Sequence, residues 1–322
     1  MRRREFLVLL GTTGMASLAA RAQQPAIPVV GYLSATTSDI VRDVQKGLSE
    51  TGFVEGRNLS VEARFANNNY SQLPQLAADL VRRRVSVIYA SGGAVAVRAA
   101  KAATSTVPIV FAMGADPVAM GFVTSLNRPG GNITGISFLS NELGAKRLGL
   151  LNELVPRASR YAALVNLQAP GTDSLVAEFR AAASVIGKQI EVFSASDADE
   201  IDSAFAQLVS KGAEALVVGS SSLFNSRGVQ LATLGAYHRL PAIYYDRRLV
   251  ELGGLMSYGA SITEASRQAG VYVGRIPKGE KPSDLPVMQM TQFDLVINLR
   301  TTQTLGLTVP PTLRALATEV IE

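Results

Sequence analysis

The chain has 322 residues, 47% of them hydrophobic and 18% charged, with one histidine and no cysteine or tryptophan. That length exceeds what one hydrophobic core serves and predicts two lobes of ordinary domain size, and the apolar content excludes a disordered chain. The missing cysteines exclude a disulfide framework, a thiolate nucleophile and a thiolate-bound metal, and a lone His238 excludes a multi-histidine site; a pI near 9.5 asks where the positive charge sits.

Much of it sits at the start. Arg2, Arg3 and Arg4 precede an apolar or small-residue run, Phe6 to Ala20, and Ala20-Arg21-Ala22 supplies an A-x-A cleavage pattern, so residues 1–22 read as an export signal. Gly11, Thr12, Thr13, Gly14 and Ser17 leave the run too weak for a membrane span. Arg3-Arg4-Glu5-Phe6-Leu7 has the two arginines and the Phe-Leu of a twin-arginine signal, although Arg2 stands where Ser or Thr is usual; general secretion is the alternative. Cleavage after Ala22 leaves 27 basic and 25 acidic residues, a charge of +2. The mature protein is therefore expected to be soluble and periplasmic, without a nucleic-acid partner.

Beyond the signal, short apolar runs alternate with helical periodicity. Val29 to Ser34 is a predicted strand, and Ile40, Val41, Val44 and Leu48 recur at helical spacing up to Gly52. Leu59 to Phe65 alternates as a half-buried strand, and Leu73, Leu76, Ala77, Leu80 and Val81 form a second helix face. Val85 to Ala90 and Val107 to Ala112 are continuous apolar runs of the buried-strand kind. Asp116-Pro117 reads as a helix start. The pattern breaks at Arg128-Pro129-Gly130-Gly131-Asn132 and resumes with predicted strands at Ile133 to Leu139, Tyr161 to Asn166, Ile190 to Phe193, Ala215 to Ser220 and Ala242 to Asp246, again separated by helices. Such alternation predicts an α/β protein of two doubly wound, Rossmann-like lobes with parallel sheets. The expected N-terminal lobe is 26–132 plus about 259–284 and the C-terminal lobe 133–258; 285–322 holds a strand region, Val287 to Asn298, and C-terminal helices that the pattern assigns to neither lobe. More than one crossing makes a multi-segment hinge.

In open parallel sheets ligands lie beyond the carboxyl ends of the strands, where helix N-termini offer free N–H groups. Those positions hold Ser34, Ser91, Gly92, Gly93, Ala115, Asp116, Asn166, Ser220 and Asp246, all small or short and polar, and Tyr258 lies near another strand end. Gly92 and Gly93 equally fit a tight turn, and Asp116 a helix cap. No base stands beside a nucleophile, and no P-loop, nucleophile elbow, dinucleotide fingerprint or carboxylate cluster of metal-ligand spacing is present. No enzyme, metal or cofactor is expected. For an amino-acid ligand the carboxylate is expected on the N–H groups of Ser91 to Gly93 and the ammonium near Asp116 or Asp246, and Gly93→Pro is expected to abolish binding without unfolding the protein.

The segments VVGYLS, LPQLAADLVRR, AAKAATSTVPIVFAMGADPV, SLNRPGGNITGISFLSNELGAKRLGLLNELVP, GGLMSYGAS and GRIPKGEKPSDLPVMQMTQFDLVINLRTTQTLGLTVPPTL, with the closing EVIE, resemble the ABC-transporter substrate-binding proteins related to tryptophan- and tyrosine-uptake receptors over nearly the whole chain. The resemblance implies a periplasmic-binding-protein type I fold with three hinge segments and a ligand in the interlobe cleft, faced by Ser34, Gly92, Gly93, Ala115, Asp116, Asn166, Ser220, Asp246 and Tyr258. It further implies a monomeric receptor that hands a small organic solute to an ABC permease; an extracytoplasmic sensor partnering a signalling protein is the alternative. Val165-Asn166-Leu167-Gln168-Ala169-Pro170 and Gly219-Ser220-Ser221-Ser222 depart from the family's usual Val-Asn-Pro-x-Asn-Pro and Gly-Ala-Asp-Pro. Both departures fall at strand ends, where such folds set specificity.

Overall fold

The structure, a computed structural model, describes residues 27–36, 41–138 and 140–322. The expected export signal and its cleavage pattern lie outside the described residues, as do Ile40 and Leu139. The first part of the chain runs β1 (Val29–Ser34), α1 (Val41–Glu50), β2 (Ser60–Phe65), α2 (Leu73–Arg82), β3 (Val87–Ser91), α3 (Ala94–Ala103), β4 (Ile109–Met113) and β5 (Ile133–Ser137). Its strands form a parallel sheet in the order β2-β1-β3-β4-β5. Leu33, Ile88, Ala90 and Phe111 face one apolar layer; Tyr32, Val87, Tyr89 and Val110 face the other. Sheets covered on both faces need such uninterrupted apolar runs.

The Gly-rich break at 128–132 does not separate the lobes. β5 lies beside β4, with Ile109 opposite Ile133 and Met113 opposite Ser137, so the strand expected to open the C-terminal lobe belongs to the first sheet. Asn132 ties the break to that sheet: its Nδ2 donates to the Val107 carbonyl at 2.7 Å, and its own carbonyl accepts from Ile109 N–H at 2.8 Å. Gly130 and Gly131, at φ 74° and 64°, turn the chain back. A proline-glycine run marks a reversal and does not say which sheet receives the next strand.

The chain crosses after Ser137 instead. It then forms α4 (Gly144–Leu154), β6 (Arg160–Val165), α5 (Thr172–Val185), β7 (Gln189–Ser194), α6 (Ala198–Ser210), β8 (Ala215–Val218), α7 (Ser222–Ser226), α8 (Gly228–Tyr237), β9 (Ala242–Tyr244), α9 (Arg247–Glu251) and β10 (Met256–Gly259). After Gly259 it returns to the first lobe as α10 (Ile262–Arg275), which packs on α1, β4 and β5. The strand region expected at Val287 to Asn298 is two strands in two sheets. β11 (Met288–Gln289) extends the first sheet beside β5, whereas β12 (Asp294–Asn298) runs antiparallel to β10. After α11 (Leu299–Thr304) and α12 (Pro311–Leu316), β13 (Glu319–Ile321) closes the second sheet, ordered β7-β6-β8-β9-β10-β12-β13. Among the described residues the chain passes between the two sheets three times: after Ser137, after Gly259 and between Gln289 and Asp294.

α1 and α10 meet backbone to backbone. A Cβ added at Gly47 or Gly270 would come closer than 3.0 Å to the Arg267 or Val44 carbonyl oxygen, respectively. That notch lets Val44 and Leu48 share one buried layer with Ala265, Ala269 and Val273. Ser261 caps α10, its Oγ accepting from Glu264 N–H at 3.2 Å, and Arg267 pairs with Glu50 at the rim of the contact.

Glu214, just before β8, accepts from the N–H groups of Ser159 at 2.6 Å and Arg160 at 3.1 Å and from the Ser159 hydroxyl at 3.1 Å. These bonds hold its carboxyl down to about 2. A carboxylate lowered by folding adds stability above its unfolded pKa, 4.5, and loses it as pH falls towards 2. Glu214→Gln is therefore expected to shrink the fall in melting temperature between about pH 5 and pH 2.5. An unchanged fall in thermal melts would contradict that assignment.

Candidate functional site

The carboxyl ends of β3, β4 and β5 face those of β6, β8 and β9 across a cleft of about 760 Å³, counted to its open mouth. One wall is formed by Ser91 to Val95, Gly114 and Ala115 after the first-sheet strands; the other by Ala169, Pro170, Ser220 to Ser222, Asn225 and Tyr245. Tyr70, Tyr89, Ala112, Phe138, Ile262 and Ser266 complete it. Phe138, in the first crossing segment, packs against apolar layers of both lobes. The lobes touch across the cleft, the Tyr70 hydroxyl lying 3.1 Å from Ser222 Oγ and Asn68 Nδ2 donating to Ser226 Oγ at 3.1 Å.

The turn after β3 depends on glycine. Gly92 and Gly93 have φ 78° and 98°, and a Cβ on Gly92 would press into the Ala35 backbone nitrogen at 2.8 Å. This brings the N-terminus of the ten-residue α3 into the wall, where the first N–H groups of a helix have no partner within it. Proline cannot adopt φ 98°, so Gly93→Pro would disrupt the turn itself, contrary to the expectation that it spares the fold.

Of the residues expected from strand ends, Ser91, Gly92, Gly93, Ala115 and Ser220 line the cleft. The others do not, and each has another engagement. Ser34 Oγ accepts from Thr36 N–H at 3.2 Å. Asn166 accepts from Gln168 N–H at 2.9 Å and holds Ser221 Oγ at 3.4 Å. Tyr258 packs against Phe293, ring centroids 6.1 Å apart. Asp116 accepts from Val118 N–H at 2.8 Å and Ala119 N–H at 3.3 Å, capping a turn where a helix was expected. Asp246 is buried, caps α9 through Arg248 N–H at 3.0 Å and is ion-paired with the Arg248 guanidinium. The two carboxylates expected to meet an ammonium are thus occupied locally, because a short acid beside a helix or turn start bonds the nearest N–H groups first.

No charged side chain lines the cleft among the described residues. Behind its wall stands Arg147, fully buried, donating from Nη2 to the Ser140 carbonyl at 2.6 Å. Burial holds this guanidinium down to about 10, still protonated at neutral pH, and its charge acts on Tyr245. The Tyr245 hydroxyl donates to the Ser221 carbonyl at 2.6 Å and lies 2.8 Å from Asn225 Oδ1, which fixes the second wall.

Strand-end reasoning misses Tyr70, Tyr89, Phe138, Ile262 and Ser266. Tyr89 looks like core in an apolar strand, and Ile262 like core in an amphipathic helix. Ser266 carries a signal: it is polar on the helix stripe that otherwise reads Ile262, Ala265, Ala269 and Val273.

A family profile described as ABC transporter substrate binding protein matches residues 26–321. A relative named Tyrosine-binding protein, from Clostridioides difficile, is 26% identical over 263 residues, 81% of this chain and 75% of the relative. Among solved structures, an ABC domain from Streptococcus pneumoniae in complex with L-Trp superposes with a TM-score of 0.82 at 23% identity, covering 91% of this chain and 99% of that one. A conserved domain protein from Vibrio cholerae superposes at 0.84 with 25% identity and the same coverage. No helix among the described residues is long and apolar enough to cross a membrane. With two parallel-sheet lobes, a three-segment connection and a match over almost its full length, the chain belongs to the ABC transporter substrate-binding protein family and has the periplasmic-binding-protein type I fold.

Proposed function

We propose that the protein is an exported, periplasmic receptor that captures a small aromatic carboxylate between its lobes and delivers it to an ABC permease in the inner membrane. The observation that carries this reading is the wall chemistry: an apolar, aromatic cleft with no charged lining side chain among the described residues, edged by the helix N-terminus after β3 and the hydroxyls of Ser220 to Ser222. Free N–H groups and a helix dipole favour an anion, and the buried Arg147 cation behind Tyr245 acts in the same direction. Tyr70, Phe138, Pro170 and Ile262 would cover the ligand's apolar body. The ligands in the relatives' names, tyrosine and L-tryptophan, are aromatic and carry a carboxylate. The segment 1–22, with its arginines and A-x-A pattern, supports export.

Purified residues 23–322 are to be screened by thermal shift against aromatic amino acids, the corresponding aryl acids without an ammonium, and uncharged aromatics. Aromatic carboxylates are expected to raise the melting temperature, since a ligand at 100 times its dissociation constant adds about 2.7 kcal/mol. No shift with any carboxylate, or equal shifts with uncharged compounds, would overturn the reading.

A further inference from the structure

The loop after β2 meets α7 at both ends of that short helix, Tyr70 at Ser222 and Asn68 at Ser226. Tyr70 and Ser222 line the cleft, whereas neither Asn68 nor Ser226 does. The Asn68–Ser226 bond therefore joins the lobes without facing a ligand. Its direction is fixed, because Ser226 Oγ donates its proton to the Leu223 carbonyl at 2.8 Å and can only accept from Asn68 Nδ2.

Asn68 is held ready on the first lobe. Asn67 and Asn68 have φ 51° and 68°, in the left-handed region that asparagine visits more readily than most side chains. Ala66 N–H donates to the Ser34 carbonyl at 2.9 Å and Asn68 N–H to the Ala35 carbonyl at 2.8 Å, which ties the turn to the end of β1. An asparagine in a turn commonly bonds its own loop. The Asn68 side chain does not: its Nδ2 bonds the other lobe, and its Oδ1 makes no hydrogen bond within the protein.

We propose that Asn68 and Ser226 form an interlobe latch that favours the closed arrangement whatever occupies the cleft. The bond exists only while the lobes touch, so it stabilises the closed state alone. A hydrogen bond of ordinary net strength shifts such an equilibrium about two- to tenfold. The latch thus tunes how tightly a solute is held, and the cleft wall chooses the solute. The inference rests on the part of the proposed function that has a solute captured between the lobes, and is independent of the aromatic carboxylate.

The chain has no cysteine, so spin labels can be attached at Gln75→Cys on α2 and Val185→Cys on α5, both exposed and neither part of the latch. Pulsed electron resonance on labelled residues 23–322, without ligand, is expected to give a shorter and a longer interlobe distance. Asn68→Gly and Ser226→Ala are each expected to lower the ratio of short to long about two- to tenfold. Glycine keeps the left-handed turn, and the Leu223 carbonyl keeps its bond from Arg227 N–H at 3.0 Å, so both variants should melt near the temperature of the labelled parent. The double variant is expected to match the single ones, since each removes the same bond. A single distance in the labelled parent, an unchanged ratio in the variants, or effects that multiply in the double variant would each overturn the latch. Each of these results leaves the aromatic-carboxylate reading to the thermal-shift screen, which uses the wild type.

Discussion

Gly270→Leu is expected to destabilise the protein by roughly 3 kcal/mol, the upper end of what overpacking a well-packed layer costs. The new Cβ would meet the Val44 carbonyl oxygen, a backbone atom that cannot swing aside. α1 would have to back away from α10, opening the layer formed by Val44, Leu48, Ala265, Ala269 and Val273. Gly149→Ala serves as the opposite control. Gly149 lies within α4, an added Cβ meets nothing within 4 Å, and its φ is not positive. Replacing glycine inside a helix should therefore add about 0.5–1 kcal/mol. Urea midpoints should move in opposite directions for the two variants. A Gly270→Leu midpoint equal to the wild type would show that the helices tolerate separation. Because Ser266 is one turn from Gly270 on the same helix, the variant is also expected to weaken binding of any ligand that uses it.

Ser222→Trp is expected to weaken ligand binding at least about 100-fold, equivalent to about 2.7 kcal/mol. Ser222 opens α7 at the cleft wall; its Oγ lies 3.1 Å from the Tyr70 hydroxyl and 3.9 Å from where a Gly93 Cβ would stand. An indole cannot fit while the lobes touch, so the variant is held apart. A ligand closes the lobes only through contacts it makes in the closed state alone, and those contacts are what the variant removes. Calorimetry should show the lost affinity with a ligand identified by the screen, and small-angle scattering should show no contraction when that ligand is added. Wild-type affinity in Ser222→Trp would exclude closure across this wall.

The alternating series of strands and helices was legible because each element carries its own period: Leu33, Ile88 and Phe111 lie in short apolar runs, and Val44 and Leu48 recur at helical spacing. Sheet membership was not. An apolar run such as Ile133 to Ser137 reads alike whichever sheet accepts it, and its place beside β4 is decided by hydrogen bonds between residues far apart in sequence. The same holds where Met288-Gln289 and Asp294 to Asn298, read as one strand region, separate into two sheets.

The candidate site divides in the same way. Ser91, Gly92, Gly93, Ala115 and Ser220 could be found from sequence, since strand ends in a parallel sheet point to the ligand side. The local capping engagements of Asp116 and Asp246 could not be read there, because whether an acid caps a turn or faces a cleft depends on local backbone geometry. By itself the sequence determined the doubly wound class, the absence of thiol chemistry and the strand-end half of the cleft, all of which follow from composition and local period. Only the tertiary structure decided where the chain crosses between lobes, how Gly47 and Gly270 admit α1 against α10, and that Tyr89 and Ser266 share one cleft. Those are matters of which surfaces meet, and contact between distant segments leaves no period in the chain.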